Sequence, residues 1–424
     1  SEGKLRASFG FAGNNRVADF ASLAQVTTTI NDRYQFGDIL NSIGAYPSSV
    51  RNDQLTWERT GTINVGADLG FLSNKIYVEL DYYKRNTTNL LLKAAISSNS
   101  GFGSMQRNVG EIQNEGFEIS FNTTNFRSRN FEWTSNFNIS FNKNEVKSFS
   151  SGERSILSNV KFLDEAYIAQ VGGPVAQYYG YICEGVYQLE DFDILETGQT
   201  CVNAKGEVVP VLRYTLKPDI PYAERSREYT LPGYRKFKDL NGDGVIDTRD
   251  RVIIGSPYPK HTGGYTNNFR YKNFSLNIFF TWSYGAKILN ATPLQMVNVT
   301  DQRGFGVNRF DYLKDYWTED NPDAKYPSLV TGSSRLMGTD NLEDGSYLRL
   351  KNLSIGYDMP KAWITKLGIS SLRLGFSAQN LWTLTGYNGQ DPEVSANYTA
   401  LTPMYDNSSY PRTKSFTFSL NVSM

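Results

Sequence analysis

The residues best spaced to do chemistry lie in one stretch, Asp239-Leu240-Asn241-Gly242-Asp243-Gly244-Val245-Ile246-Asp247-Thr248-Arg249-Asp250. It matches the D-x-[DN]-x-D-G opening of a calcium loop. Ca²⁺ takes about 6–8 hard oxygen ligands. Here they would come from Asp239, Asn241, Asp243, the Val245 carbonyl, Asp247 and Asp250. Gly244 falls at the sharp turn, where a positive φ suits glycine. Carboxylates this close repel one another unless a cation lies between them. The expected cofactor is therefore one structural Ca²⁺, with Ile246 pointing back into the fold. The plainer alternative is an Asn/Asp/Gly-rich loop that binds nothing. No amphipathic helix pattern flanks the stretch, since Phe237 and Arg251–Ile254 read as extended.

Catalytic patterns are lacking. The single histidine, His261, cannot build a His-rich metal site, and no Ser/His/Asp or Cys/His arrangement is visible. The glycines of Val171-Gly172-Gly173-Pro174 precede no helix pattern, so they read as turns and not as a phosphate cradle. The chain is not expected to be an enzyme. Cys183 and Cys201 are close in sequence; they are either unrelated thiols or a loop-stapling disulfide in an oxidising space. Trp57, Trp317 and Trp382 fall near strand ends or in loops. They read either as sugar-stacking platforms or as interfacial and loop-core aromatics.

The elements that must position these residues are strands. Lys plus Arg equals Asp plus Glu, 43 each in 424 residues, which gives no electrostatic footprint for nucleic acid. Aromatics reach 14% while hydrophobic residues stay at 39%. No apolar run approaches the roughly 18–20 residues of a membrane helix. A membrane barrel remains open, because its strands carry lipid contact on alternate residues only. That alternation is what the sequence shows. Phe131, Trp133, Phe137, Ile139 and Phe141 interleave with Glu132, Thr134, Asn136, Asn138 and Ser140. The runs Phe117–Asn122, Phe274–Tyr284, Ile63–Phe71 and Phe416–Met424 behave alike.

About ten such strands are expected. They lie near 4–13, 58–71, 75–87, 108–123, 131–146, 263–272, 274–285, 346–359, 371–382 and 412–424, with a bulge at Lys351-Asn352. Short connections (72–74, 124–130, Lys272-Asn273, 360–370) alternate with long ones (14–57, 88–107, 147–262, 286–345, 383–411). Outer-membrane barrels have this asymmetry, with short periplasmic turns and long extracellular loops. A soluble all-β sandwich would give similar strands but no reason for strict alternation. Phe131, Trp133, Phe137, Ile139 and Phe141 should then face lipid, and Asn136 and Asn138 the lumen. Ser1-Glu2-Gly3-Lys4 has no signal-peptide character and opens into a strand pattern, so an upstream truncation is expected.

Several segments, in order, resemble the SusC/RagA family of TonB-dependent outer-membrane transporters. They are Leu5-Arg6-Ala7-Ser8-Phe9-Gly10 with Gly13-Asn14, then Trp57-Glu58, Asn64-Val65-Gly66, Asp81-Tyr82-Tyr83 and Leu90-Leu91-Leu92. Asn108-Val109-Gly110 with Asn114-Glu115-Gly116-Phe117-Glu118 follows, then Val171-Gly172-Gly173-Pro174 and Tyr179-Gly180-Tyr181. Trp317-Thr318-Glu319-Asp320-Asn321-Pro322, Tyr326-Pro327, Ser346–Gly356, Gln379-Asn380-Leu381 and Asp391-Pro392-Glu393 complete the series.

The resemblance implies an all-β antiparallel transmembrane barrel of about 22 strands, of which residues 1–424 supply roughly the last ten as one domain. The 147–262 connection would be an extracellular insertion, with the plug and the first strands outside this chain. It further implies TonB-energised import of a bulky nutrient, an oligosaccharide or else an oligopeptide, with a SusD-like surface lipoprotein as partner. From another class, a structural or adhesive calcium-stabilised surface protein is the alternative. Met424 departs from the terminal aromatic common in such barrels.

Overall fold

The structure, a computed structural model, describes residues 2–14, 22–36, 39–95, 98–102, 104–108, 110–149, 152–202, 206–223, 226–297, 311–324, 326–328, 336–396 and 399–424. Val109 and parts of the 14–57, 88–107, 147–262, 286–345 and 383–411 connections lie outside the described residues. One ten-stranded antiparallel sheet dominates, and its strands lie side by side in chain order. They are β1 Glu2–Asn14, β2 Glu58–Phe71, β3 Ile76–Thr88, β4 Glu111–Arg127, β5 Phe131–Ser148, β6 His261–Tyr271, β7 Phe274–Tyr284, β8 Tyr347–Asp358, β9 Ser371–Thr385 and β10 Ser415–Ser423. Among the described residues β1 and β10 pair on one side only, so the ten form an open wall. No described helix is long and apolar enough to cross a membrane.

All ten strands were expected from the alternation, and the differences lie at their ends. β4 begins at Glu111, after Gly110 with φ +101°. β10 begins at Ser415, where the ladder to β9 starts; upstream, Pro411 has no N–H to donate. The bulge falls where it was expected. The ladder steps from Leu350 to Asn352 against both neighbouring strands, and Asn380 of β9 takes φ +53° opposite the step.

The register gives the wall two chemically distinct faces. Leu69, Val78, Phe121, Phe137, Tyr265, Phe280, Leu350 and Trp382 oppose one another in turn from β2 to β9. One residue along, the row reads Asp68, Glu79, Ser120, Asn138, Gly264, Thr281, Arg349 and Thr383. Phe131, Trp133, Ile139 and Phe141 share the face of Phe137, and Asn136 and Asn138 take the other, as expected from parity. On the polar face, Asn136 bonds Asn122, and Asn277 links Asn268 (2.7 Å) to Asn352 (3.0 Å). Asn267 is a polar group on the apolar face. Trp133 Nε1 at 3.0 Å, Ser135 Oγ at 2.8 Å and Tyr265 Oη at 3.2 Å all donate to its Oδ1, which masks it.

Because the strands alternate in direction, the short turns 72–75, 128–130, 272–273 and 359–370 share one end of the wall. The long connections share the other. Leu72, Ser73, Asn74 and Lys272 all have positive φ, the geometry of tight hairpin turns. The large buried clusters lie in the long connections and not in the wall.

The two faces should respond oppositely to charge. Ile139→Arg is expected to cost about 2–4 kcal/mol in a bilayer, the midplane range for a lipid-facing cation. Asn138→Arg, one residue away, should be nearly neutral. Urea midpoints of the full-length protein refolded in phospholipid vesicles measure both.

Candidate functional site

Three long connections fold into one cap. Residues 149–260 contribute a four-stranded sheet, and a three-stranded sheet joins Leu342–Asp344, Lys287–Asn290 and Tyr405–Asp406. A shared core holds Leu163, Tyr167, Tyr178, Leu289, Met337 and Tyr405. The buried phenols carry the cross-links. Tyr167 Oη donates to the Pro403 carbonyl at 2.8 Å, Tyr178 Oη to the Lys287 carbonyl at 2.9 Å, and Tyr405 Oη to the Lys161 carbonyl at 2.9 Å. Burial raises the pKa of each and keeps it a donor. Arg235, 5% exposed, donates to Asp340 at 2.5 Å and to the Leu336 carbonyl at 2.8 Å. Gly180 packs so closely on the Met337 carbonyl that a Cβ would sit 2.3 Å from it.

The cap is anchored to the wall through Arg349 of β8, whose side chain is 3% exposed. Its guanidinium donates to Asp391 Oδ1 at 2.7 Å, Glu393 Oε2 at 2.6 Å and Thr383 Oγ1 at 3.0 Å. Tyr347 Oη adds a bond to Glu393 at 2.7 Å, and Arg412 and Lys351 approach Glu393 at 3.1 and 3.3 Å. Burial works against the Glu393 charge. The Tyr347 hydroxyl and the surrounding cations outweigh it and hold the carboxyl below its usual range. A second network lies on the polar face far along the wall. Arg6 bridges Asp68 (2.7 Å) and Asp81 (2.9 Å) across Gly66, where a Cβ would lie 2.9 Å from the Arg6 Cζ.

The residues singled out from sequence are placed as follows. In the 239–250 turn, Ile246 is buried against Tyr181 and Phe237, as expected. Asp239 accepts from the Gly242 and Gly244 amides at 2.6 and 2.8 Å, and Asn241 from the Asp243 amide at 2.8 Å. Asp243 accepts from the Val245 amide at 3.0 Å and pairs with Arg249 at 2.6 Å. Asp247 pairs with Arg249 at 2.8 Å, and buried Asp250 accepts from the Leu240 and Asp247 amides at 2.9 Å each. The turn thus satisfies its acids with its own donors. Among the described residues no three acidic, imidazole or thiol side chains gather closely enough to hold a metal.

Both cysteines are free, which corrects the disulfide alternative. Cys183 pairs with Phe237 in one small sheet and Cys201 with Val209 in another. Burial, with Asp340 nearby, pushes the Cys183 thiol up to about 11. The three tryptophans lie in different surroundings. Trp317 is 6% exposed, donates to Gln188 Oε1 at 3.0 Å and lies over Gly233 with φ +79°, so it is a cap-core residue. Trp382 opposes Leu350 on the apolar face, and exposed Trp57 lies beside Gly13 at the end of β1.

Sequence reasoning missed the roles of Tyr167, Tyr178, Tyr405, Arg6 and Arg349. A signal was present for the last two. Arg349 lies in the Ser346–Gly356 motif and its two carboxylate partners in Asp391-Pro392-Glu393. Arg6, Gly66 and Asp81 come from three further motif segments, and Asp68 follows two residues after Gly66.

A two-faced wall of neighbouring antiparallel strands, tight turns at one end and a folded cap at the other define an outer-membrane β-barrel protein. No family model matches the chain. It is 33% identical, over 99% of its length, to the TonB-dependent receptor P3 of Formosa agariphila (strain DSM 15362 / KCTC 12365 / LMG 23005 / KMM 3901 / M-2Alg 35-1), and it covers 39% of that protein. It is 26% identical, over its whole length, to the TonB-dependent receptor SusC of Bacteroides thetaiotaomicron, covering 37% of it. A solved structure of the RagAB peptide transporter superposes on the whole chain with a TM-score of 0.74 at 24% identity, with 41% of that chain covered. The chain is similar over its whole length to TonB-dependent receptors, SusC among them, and spans about two fifths of the curated relatives it matches. Those relatives are named as receptors, not enzymes.

Removing the anchor should free the cap from the wall. Arg349→Ala is expected to cost about 3 kcal/mol or more, because it strands two carboxylates that are mostly buried. The depressed Glu393 carboxyl contributes stability that is present above its unfolded value, about 4.3. That contribution is lost as pH falls through the lower folded value. Limited proteolysis of residues 386–414 should therefore accelerate below about pH 4 in the native protein. In Arg349→Ala it should already be fast at neutral pH.

Proposed function

We propose that this chain forms part of the wall and the extracellular cap of a TonB-dependent importer of a bulky nutrient. The observation that carries this reading is the fusion of three long connections into one cap over the end of a wall with a polar inner face. A passive surface protein has no need of that inner face. Residues 1–424 belong to one barrel domain, with 147–262 as an extracellular insertion. The plug and the TonB contact lie elsewhere in the protein, and a SusD-like lipoprotein seats on the cap. Substrate binds between lid and barrel, the plug yields, and release is to the periplasm, with no covalent chemistry.

The substrate class proposed is an oligosaccharide. An oligopeptide is the second reading, supported by the likeness to the RagAB peptide transporter. Uptake of fluorescent oligosaccharides and oligopeptides by cells with and without the gene tests both. Import that disappears with the gene and with the proton-motive force is expected for one class. Gene-dependent surface binding with no energised uptake overturns the importer and favours an adhesive role.

We also propose a structural Ca²⁺ in the Asp239–Asp250 turn. Its residue order and Gly244, at φ +81°, support this. The Gly244 and Gly242 amides hold the Asp239 carboxyl below its usual range, which keeps it charged. The ion would take over the charges of Asp243 and Asp247 from Arg249, and Asn241, Val245 and Asp250 would complete its oxygens. Elemental analysis should find about one calcium per chain. Chelation should speed proteolysis within 239–250, and Arg249→Ala should deepen that effect. Calcium-free protein with an unchanged digest overturns the assignment.

A further inference from the structure

The apolar face of the wall carries two rows of rings. Near the tight turns, Phe131, Tyr271, Phe274 and Tyr357 oppose one another on β5 to β8. Near the cap, Tyr82, Phe117 and Phe141 oppose one another on β3 to β5, and His261 and Tyr284 continue the row at centroid distances of 5.7 and 5.2 Å. Phe131 and Phe141 stand ten residues apart on one strand. Ten residues of tilted strand rise about 25 Å, the height of the apolar band of an outer-membrane barrel. Among the described residues, β3–β7 place no charged side chain on this face between the two rows. Charge begins at the next outward-facing position beyond the second row, where Lys84, Glu115 and Lys143 oppose one another on β3, β4 and β5. Lys143 and Lys147 flank Glu145 at 3.3 and 2.6 Å, and Gln113 Nε2 donates to Glu115 at 3.2 Å. The Lys143 side chain is still 67% exposed. Among the described residues, exposed Lys84 has no acidic partner within ion-pair range. β3, β4 and β5 each pair on both sides, so this surface is interior to the wall and away from its open edges.

We propose that Lys84, Lys143 and Lys147 hold the phosphate of an anionic glycolipid in the outer leaflet around the barrel. The inference rests on the extracellular placement of the long connections proposed above, and not on what the protein imports. Position favours a lipid. Rings at the upper end of an apolar band mark the level where acyl chains give way to headgroups. Cations directly beyond that level, on the outward face, meet headgroups; substrate in the lumen would meet the other face. Charge favours an anionic headgroup. Lysines near such a surface are drawn to it over about a Debye length. An ammonium takes a phosphate as a point charge with three donors and needs no planar fork. Lys84 and Lys143 flank β4 at two strand spacings, about 10 Å between their backbones, and two long side chains can close on one phosphate across it. Glu145 draws Lys143 and Lys147 together. Glu115 stands between Lys84 and Lys143 and repels the same phosphate, so the sign of its effect separates a lipid site from a merely structural patch.

The test is native mass spectrometry of the full-length protein in detergent, titrated with phosphorylated lipid A, with its dephosphorylated form and with phosphatidylglycerol. Phosphorylated lipid A should bind in preference to both. Lys84→Gln/Lys143→Gln should weaken it about tenfold or more, at about fivefold for each lysine. Glu115→Gln should strengthen it. Lys75→Gln/Lys272→Gln, in the tight turns at the opposite end of the wall, should leave it unchanged. Heat-modifiable migration of each variant confirms an intact barrel. Equal binding of the dephosphorylated form, equal loss in the two double variants, or weaker binding in Glu115→Gln overturns the site. Displacement of the lipid by millimolar inorganic phosphate overturns the lipid as its occupant. A preference for phosphatidylglycerol over lipid A overturns the outer leaflet as the source, and with it the orientation given to the wall. None of these readouts involves transport, so energised uptake in cells judges the importer separately.

Discussion

The constraint on which the rest of this structure depends is that backbone amides cannot be left unpaired in hydrocarbon. A wall that meets this rule with strands must put every residue on one of two faces, and one slip in register exchanges them all. The row from Leu69 to Trp382 and its neighbour from Asp68 to Thr383 are the two outcomes, held apart over eight strands. Even the step at Lys351 keeps the faces consistent, because β9 absorbs it through Asn380.

The cap obeys a different rule. Irregular chain in a folded body still has to satisfy its carbonyls, and here it does so with tyrosines. A tyrosine can bury its ring and still deliver a hydroxyl to a carbonyl in a distant segment. Tyr167 reaches a carbonyl 236 residues away and Tyr405 one 244 residues away. These bonds convert separate loops into one object, and Arg349 fixes that object to the rim.

That contrast explains what was legible in the sequence. The strands were readable because their pattern is local, with a period of two, and each run announces its own faces. The bulge at Lys351 was readable for the same reason, as a break in phase. The cap was not, because nothing near Tyr178 or Arg235 signals partners more than a hundred residues away. Trp317 shows the limit clearly: its neighbourhood left a stacking platform and a loop-core residue both open, and only the approach of Gly233 shows it buried. The Asp239–Asp250 turn was legible in its shape and in the inward turn of Ile246. The role of Arg249 was not, since a basic residue at that position says nothing about which acids it will meet.

The shared core of the cap also bears on how such receptors can diversify. Segments that met only solvent could be exchanged one at a time between related genes. Here a graft of residues 149–260 would arrive with Tyr167 and Tyr178 but without the carbonyls of Lys287 and Pro403 that receive them. The three connections therefore form a single unit of inheritance although they are scattered along the chain. Viable recombinants would exchange the C-terminal span whole, with crossovers falling in the tight turns at the opposite end.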